Sequence, residues 1–206
     1  LLQMETFQLS EKLLKKIADL ISAKKNTPLK KIVKDIHFAD MAEIINELNE
    51  QQGIYLIKLF DSEKTSEILT ELDEDVREKI LKALSVKEIA DEIEELDSDD
   101  AADILGELSD ERKEEVISEI SDDNLADDLK ELLSYEEDSA GGLMAKELVQ
   151  ANENWSVTKC LKEIKKQGEN VTRVHSIYVV DDKQKLIGRL SLKDLITSPA
   201  KNLIKD

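Results

Sequence analysis

Carboxylate side chains are concentrated in one stretch of this sequence. Between Asp97 and Glu131 there are 15 acidic side chains and three basic ones, so pairing with cationic side chains cannot neutralise the stretch. Two carboxylates about 5 Å apart repel each other by roughly 3 kcal/mol at an effective dielectric constant of about 20. A hard divalent cation, which prefers carboxylate and carbonyl oxygens and keeps several of its waters, replaces that repulsion with attraction. The stretch therefore suits a surface that responds to divalent ions.

Asp99 and Asp103 are the two acids with the most suggestive spacing. They lie four residues apart at the start of the segment DSDDAADILGEL, and residues at this spacing share one face of a helix. The alternative interpretation, which holds for most acids of the region, is a solvated helix face or a partner of the N-terminal helix dipole.

A 12-residue repeat must position these carboxylates. Eight units run without a break from His37 to Leu132, each ends in a large apolar residue, and positions eight and nine supply a second apolar anchor. These offsets place one apolar stripe along a short helix. Seven of the eight units open with a predicted N-cap residue: Asn49, Asp61, Asp73, Ser85, Asp97, Ser109 and Ser121.

Helices of about 10 residues are marginally stable alone in water, so the eight must stack on one another. We therefore predict a mainly α fold, a right- or left-handed superhelical array of short helices. A helical segment over residues 1–36 precedes the array. It contains a helix at 10–23 capped by Ser10, and a second helix with Thr27 as cap and Pro28 at its first position.

The pattern changes after Leu133. Gly141 and Gly142 let the backbone turn tightly, and a mixed α/β unit follows, in which a helix buries Val157, Cys160, Leu161 and Ile164 and ends at Gly168. The predicted order is β-α-β-β-α, with strands at Glu147–Ala151, His175–Val180 and Lys185–Ser191 and helices at Ser156–Gln167 and Leu192–Thr197.

Composition excludes several classes of function. The net charge of −18 argues against nucleic-acid binding and against adsorption to anionic lipid. There is no stretch of about 18 apolar residues, no signal peptide and no catalytic motif, so we do not expect an enzyme. The single cysteine, Cys160, suits a reducing compartment, and His37 reads as a helix cap or surface residue.

Two segments resemble a known family. YEEDSAGGLM at 135–144 resembles the junction motif of the MgtE family of bacterial magnesium transporters, and the array before it resembles that family's N-terminal superhelical domain. IYVVDDKQKLIGRLSLKDLI at 177–196 is similar to the core of a cystathionine-β-synthase (CBS) motif. The resemblance covers about residues 30–206 and implies an array over 37–134, followed over 135–206 by the junction and a small α/β CBS motif.

The resemblance also implies a function. It makes the chain a soluble cytosolic piece of a longer membrane protein, on the cytoplasmic side of the membrane, with the second CBS motif and the membrane pore domain outside these residues. Mg²⁺ would bridge the acidic array and the CBS domain and so close the pore. The expected partners are a second copy, joined through the CBS motifs, and the pore domain of the same parent chain.

The resemblance further assigns individual residues. Asp99, Asp103 and Glu67 match metal-associated acids of the family, and the Gly142 carbonyl matches a junction position that can reach an ion. Lys193 and Asp194 match a basic–acidic pair that contacts nucleotides in some CBS modules, although Asp194 also suits a helix cap. Two alternatives stay open, namely a metal-independent protein-interaction scaffold and an adenine-nucleotide sensor.

Overall fold

The computed structural model describes residues 9–136, 138–168, 171, 174 and 176–206. They divide into two compact units. The helical unit comprises the chain up to Leu96 together with Asp100–Gly142, and the α/β unit comprises Asp97–Asp99 and Leu143–Asp206. The helices are α1 Glu11–Ser22, α2 Asn26–Val33, α3 Phe38–Asn46, α4 Glu50–Ile57, α5 Ser62–Glu71, α6 Glu74–Ala83, α7 Val86–Ile93, α8 Ser98–Gly106, α9 Asp110–Glu119, α10 Asp123–Leu132, α11 Val157–Gln167 and α12 Leu192–Thr197.

Each 12-residue unit forms one short helix, from α3 to α10. The packing has a longer period than the sequence, because a helix contacts mainly the second helix along the chain. α3 packs on α5, α5 on α7 and α7 on α9, and α4 packs on α6. The structural repeat is therefore a pair of helices.

The apolar anchors of the repeat form the core of the helical unit. Position eight is buried in six units, through Ile44, Leu56, Ile68, Ile80, Ile104 and Val116. The fifth and eighth units differ, since position eight is Glu92 in one and Asp128 in the other, and Glu92 is only 9% exposed. In these two units a carboxylate occupies the place where the other six have an aliphatic side chain.

Of the seven caps predicted for the array, three make the expected side-chain bond and three need correction. The side chains of Asn49, Asp61 and Ser85 each accept a hydrogen bond from the first turn of the next helix. Asp73 and Ser109 hold the N-cap position of α6 and α9 without a side-chain bond. α10 is capped by Asp122 rather than Ser121, because the helix begins at Asp123, and the backbone N–H of Ser121 donates to Glu94.

The N-terminal segment starts as expected, with Ser10 capping α1. The second helix begins earlier than predicted, at Asn26, so Thr27 and Pro28 lie inside its first turn and Thr27 is not the cap. Proline is tolerated there because the first N–H groups of a helix have no intrahelical partner. Tyr55 bonds to the Asn26 side chain from α4.

Cationic side chains satisfy carbonyl groups at the ends of several helices. The Lys64 Nζ donates to the carbonyl oxygens of Val33, Lys34 and Ile36 at 3.0–3.3 Å, and Arg112 donates to those of Leu81 and Leu84. The last carbonyls of a helix lack intrahelical donors and carry partial negative charge. These cations therefore join helices about 30 residues apart in sequence.

The α/β unit contains a three-stranded sheet in the order β1-β2-β3. Its strands are β1 Val149–Asn152, β2 Ile177–Val180 and β3 Leu186–Leu190, with β1 parallel to β2 and β2 antiparallel to β3. The β-α-β-β-α order matches the prediction, and each strand is shorter or shifted by one or two residues. His175, which was placed in the second strand, lies outside the described residues.

α11 covers β1 and supplies much of the core. Val157, Cys160 and Ile164 are buried together with Ile177 and Leu195. Leu161 was also expected to face inwards, but it is 40% exposed. Gly168 ends α11, as predicted, whereas Ser156, which was predicted as the first residue of the helix, is its N-cap.

Within the described part of the chain, no helix combines the length and the apolarity that a bilayer span requires.

Candidate functional site

Two of the predicted metal residues line one cleft of the helical unit, here called the junction cleft. Its volume is about 470 Å³, and its walls include Asp103 and Gly106 of α8 and Gly142 of the junction. Charged side chains complete the wall: Glu74, Arg77, Glu107 and Lys113. The Asp103 side chain is exposed and Gly142 is half-buried. The structure therefore brings an acid of the array and the junction backbone to the same cavity.

Arg77 organises the junction cleft. Its Nε lies 2.9 and 3.1 Å from the two carboxylate oxygens of Glu107, and its Nη1 donates to the carbonyl of Leu69 at 3.1 Å. The side chains of Arg77 and Glu107 are only 16% and 18% exposed. Glu107 is therefore already bound to a cation of the protein, and Glu74 and Asp103 supply the other carboxylates of the cleft.

Gly141 and Tyr135 shape the junction. A Cβ atom on Gly141 would lie 2.5–2.8 Å from atoms of the Tyr135 ring, which is closer than non-bonded carbon atoms pack. The Tyr135 hydroxyl reaches the carboxylate of Glu131 at 3.2 Å. A glycine is thus required here so that the aromatic ring can lie against the backbone.

Glu67 lies in a different cleft. This second cleft has a volume of about 460 Å³ and is lined by His37, Asp61, Lys64 and Glu67, among others. The Nδ1 of His37 accepts the Ala39 N–H at 3.3 Å, so His37 is a helix cap, as predicted. Burial lowers the pKa of Lys64, and the nearby Asp61 partly opposes that effect. The structure does not bring Glu67 to the junction cleft.

Asp99 lies half-buried in the first turn of α8, next to a helix cap that the sequence did not reveal. The backbone N–H and hydroxyl of Ser98 donate to the Glu147 carboxylate at 3.1 and 2.8 Å. The Lys146 N–H donates in turn to the Ser98 Oγ at 2.8 Å. Glu147 is 49 residues away in the chain, so no local pattern announces this bond.

The predicted ligands do not form a complete binding site by themselves. Among residues 9–136, 138–168, 171, 174 and 176–206, no three Asp, Glu, His or Cys side chains are grouped so that they could hold a metal ion. Asp103 and Gly142 share a cleft, whereas Glu67 lines another. An ion at the junction cleft would need further ligands from water or from another surface, as suits Mg²⁺.

Two glutamates of α7 have displaced pKa values in opposite directions. The Ser85 backbone N–H and the Lys58 ammonium lower the pKa of Glu88 to about 2. Burial, reinforced by the negative charges of Asp91 and Glu88, raises the pKa of Glu92 to about 8. Within the described residues the Glu92 Oε2 has no hydrogen-bond partner. The acid at position eight, which the fifth and eighth units carry, was the signal in the sequence that could have revealed Glu92.

The predicted nucleotide contacts lie on α12. Ser191 caps this helix by accepting the Asp194 N–H at 3.0 Å, and its hydroxyl donates to the Asp194 Oδ2 at 2.7 Å. Asp194 therefore closes a reciprocal cap, which is the alternative considered from the sequence. Lys193 is exposed.

Comparisons with known proteins match both units. The family model of the MgtE intracellular N domain matches residues 36–138, and that of the CBS domain matches residues 140–201. Two curated relatives, each named magnesium transporter MgtE, align over 75 residues. The protein of Thermus thermophilus is 39% identical and that of Enterococcus faecalis is 36% identical. The aligned residues are 36% of this chain and span 17% of each relative.

Two solved structures share the fold. The crystal structure of the soluble part of a magnesium transporter has a TM-score of 0.77 at 24% identity, over 95% of this chain and 77% of that chain. The crystal structure of the cytosolic domain of the Mg²⁺ channel MgtE in complex with ATP has a TM-score of 0.84 at 27% identity, over 93% of this chain and 78% of that chain. These matches confirm the predicted fold class, a helical array followed by a small α/β module.

Neither matching family model describes an enzyme, in agreement with the prediction. The N-domain model alone accounts for half of the residues and describes an intracellular domain. The junction motif at 135–144 lies across the boundary between the two matches. This chain therefore belongs to the MgtE family, of which it carries the intracellular N domain and a CBS domain.

Proposed function

We propose that this chain is the Mg²⁺-sensing part of a magnesium transporter. In this proposal Mg²⁺ binds between the acidic array and the CBS domain when its concentration is high, draws them together and favours a closed pore. When Mg²⁺ is scarce, repulsion between carboxylates keeps the two apart. The pore would be supplied by the membrane domain of the parent chain.

The junction cleft is the observation that carries the proposal. Its walls include an exposed carboxylate, Asp103, and Gly142 of the junction, and residues 97–131 carry 15 acidic side chains against three basic ones. A site with few protein ligands retains waters and binds Mg²⁺ weakly. Weak binding is what a sensor needs, since it must release the ion when the concentration falls.

Small-angle X-ray scattering tests the proposal. We expect the radius of gyration to fall as Mg²⁺ is titrated through the millimolar range, and Asp99→Ala with Asp103→Ala to abolish that change. The matched control is Glu111→Ala with Glu115→Ala, which removes two exposed acids of the same spacing from α9. A radius of gyration that does not change with Mg²⁺ would support a metal-independent scaffold. If both double variants lose the Mg²⁺-dependent decrease equally, the junction cleft has no special role.

A second candidate ligand of the CBS domain is an adenine nucleotide. The support is the relative at 27% identity whose crystal structure is described as a complex with ATP, and Lys193 and Asp194 are the residues proposed to contact it. Thermal stabilisation by ATP that Lys193→Ala removes, measured by differential scanning fluorimetry, would support this role. Equal stabilisation of the unsubstituted chain and the Lys193→Ala variant by ATP would exclude Lys193 as a nucleotide contact.

The CBS domain is also proposed to join two copies of the chain. Its support is the apolar surface of the α/β unit, where Leu186, Ile187 and Ile196 are 59%, 49% and 64% exposed. Large exposed apolar surfaces on a folded domain commonly mark an interface. We expect a concentration-dependent dimer in sedimentation velocity, weakened by Ile187→Glu with Ile196→Glu. A monomer at every concentration would contradict this assignment.

A further inference from the structure

The first two helices carry a charge opposite to that of the array. Residues 9–36 contain eight lysines and three acids, whereas residues 37–132 contain nine basic residues and 32 acids. The overall charge of −18 thus hides a positive region at one end of the helical unit. Electrostatic attraction depends on the local surface within a Debye length of about 10 Å, so this region has to be considered by itself.

All of these lysines are on the surface. The exposed set is Lys12, Lys15, Lys16, Lys24, Lys25, Lys30, Lys31 and Lys34, here called the lysine face. α1 packs on α2, and Lys12, Lys15 and Lys16 have the spacing of neighbours on one helix side. The ion pairs between described residues use other lysines and arginines.

Four apolar residues of the same helices lie in the core, and Leu13, Leu14, Leu20 and Ile32 are half-buried. Ile17 and Leu29 are fully buried, and Ile21 and Val33 are 6% and 1% exposed. The apolar stripes of these two described helices are therefore not left to enter a hydrocarbon layer. The lysine face can act only by electrostatic attraction to a negatively charged surface.

Its composition favours a lipid surface over a nucleic acid. Residues 9–36 contain no arginine and no aromatic residue. Arginine supplies the bidentate contacts to bases and phosphates, and aromatic side chains supply the stacking on which single-strand binding depends. Lysine is a hydrated point charge, which suits diffuse attraction to the headgroups of an anionic leaflet.

We propose that the lysine face binds the anionic surface of the bilayer in which the parent transporter is embedded. The inference rests on the proposed function, because that function places this chain beside a membrane. Binding would fix the N-terminal end of the helical unit against the headgroups. The acidic helices, repelled by the same surface, would then face away from the bilayer.

Vesicle co-sedimentation tests the proposal. The whole chain is mixed, in EDTA and low salt, with vesicles of phosphatidylcholine containing about one third phosphatidylglycerol, and with vesicles of phosphatidylcholine alone. We expect binding to the anionic vesicles only. Since each lysine near such a surface contributes about fivefold in affinity, replacing Lys15, Lys16, Lys30 and Lys31 by Gln together should weaken partitioning by about a hundredfold or more.

A second variant separates local charge from net charge. Lys79, Lys82, Lys162 and Lys165 are also exposed, and changing these four to Gln alters the net charge by the same amount. This control variant should bind the anionic vesicles as strongly as the unsubstituted chain does. Circular dichroism should show that both variants are folded. Equally weakened vesicle binding in the two variants, or no vesicle binding by the unsubstituted chain, would overturn the proposal.

Two further arms identify the source of the negative charge. Free glycerol phosphate should release no more of the chain from the vesicles than sodium chloride does at the same ionic strength. Stronger release would indicate a discrete phosphate-binding site instead of attraction to the lipid surface. Retardation of duplex DNA that depends on the lysine face, without vesicle binding, would contradict the lipid assignment. Because Mg²⁺ is absent, failure here leaves the scattering test of Mg²⁺ sensing unaffected.

Discussion

In the helical unit the aliphatic anchors are buried and carboxylates cover much of the outside, whereas the α/β unit leaves Leu186, Ile187 and Ile196 between 49% and 64% exposed. The carboxylates of the helical unit repel one another unless a cation binds between them. Covering the apolar surface of the α/β unit lowers the free energy, because it removes apolar area from water. This difference is the basis of the two proposals above, in which the array responds to ions and the α/β unit joins two copies of the chain.

The largest predicted loss of stability in the helical unit comes from replacing Arg77. Arg77→Ala leaves Glu107 charged at a place where its side chain is 18% exposed and removes a donor from the Leu69 carbonyl. Loss of one partner of a buried pair costs about 3 kcal/mol or more. Urea denaturation followed by circular dichroism measures the loss.

The control for Arg77 lies on the same helix. Lys79 pairs with Asp75 at 3.1 Å, but these side chains are 47% and 76% exposed. Exposed pairs contribute little, so Lys79→Ala should cost less than about 0.5 kcal/mol. Equal losses in the two variants would contradict the structural role given to Arg77.

Glu92 gives the next largest effect and makes the helical unit sensitive to pH. Its pKa is raised from 4.5 to about 8, so the folded state holds a proton that the unfolded chain releases above about pH 4.5. The free energy of unfolding should therefore fall as the pH rises from about 4.5 to about 8.

Glu92→Gln removes this linkage. At pH 8 we expect stabilisation of roughly 2 kcal/mol, and at pH 4 almost no change. The full displacement of the pKa would correspond to more than twice that value, at about 1.4 kcal/mol per pH unit, and relaxation with water entry around the ionised carboxylate reduces it. Thermal denaturation across that range measures both values. Glu95→Gln on the exposed side serves as control, and an equal pH response in the two variants would contradict the account of Glu92.

Two glycines sharpen the comparison within the helical unit. Gly141→Ala brings a Cβ atom to 2.5 Å from the Tyr135 ring, so the ring must move and we expect a loss of about 1 kcal/mol. Gly106→Ala meets no atom within 4 Å and should stabilise α8 by up to about 1 kcal/mol. Melting temperatures that shift in the same direction would contradict this assignment.

The smallest effect belongs to the α/β unit. Gln184, in the turn between β2 and β3, has φ of 62°, a left-handed conformation that costs a residue with a side chain about 1 kcal/mol. Gln184→Gly should therefore raise the melting temperature slightly, whereas Lys183→Gly should not. A lower melting temperature for Gln184→Gly would show that the side chain supports the turn.

The repeat allowed most of the helical unit to be predicted, because each 12-residue unit contains its own apolar stripe and usually its own cap. Sequence could not show that helices pack on the second neighbour, since that depends on side chains about 30 residues apart, such as Arg77 and Glu107. The bond between Ser98 and Glu147 escaped prediction for the same reason.

The candidate site was predicted less completely. Asp103 and Gly142 came from the family resemblance, and they share a cleft. Glu67 came from the same resemblance but lines another cleft. Leu161 was placed inside because helical periodicity marks an apolar face without stating how far the neighbouring sheet covers it, and its 40% exposure shows where that cover ends.

The most direct test of Mg²⁺ sensing measures a distance between the two units. Spin labels at Lys82→Cys on α6 and Lys201→Cys after α12 can be attached selectively, because Cys160 is buried and burial raises the pKa of its thiol to about 11. Double electron–electron resonance should show a broad distribution in EDTA and a shorter, narrower one at millimolar Mg²⁺. Identical distributions in the two conditions would contradict the account.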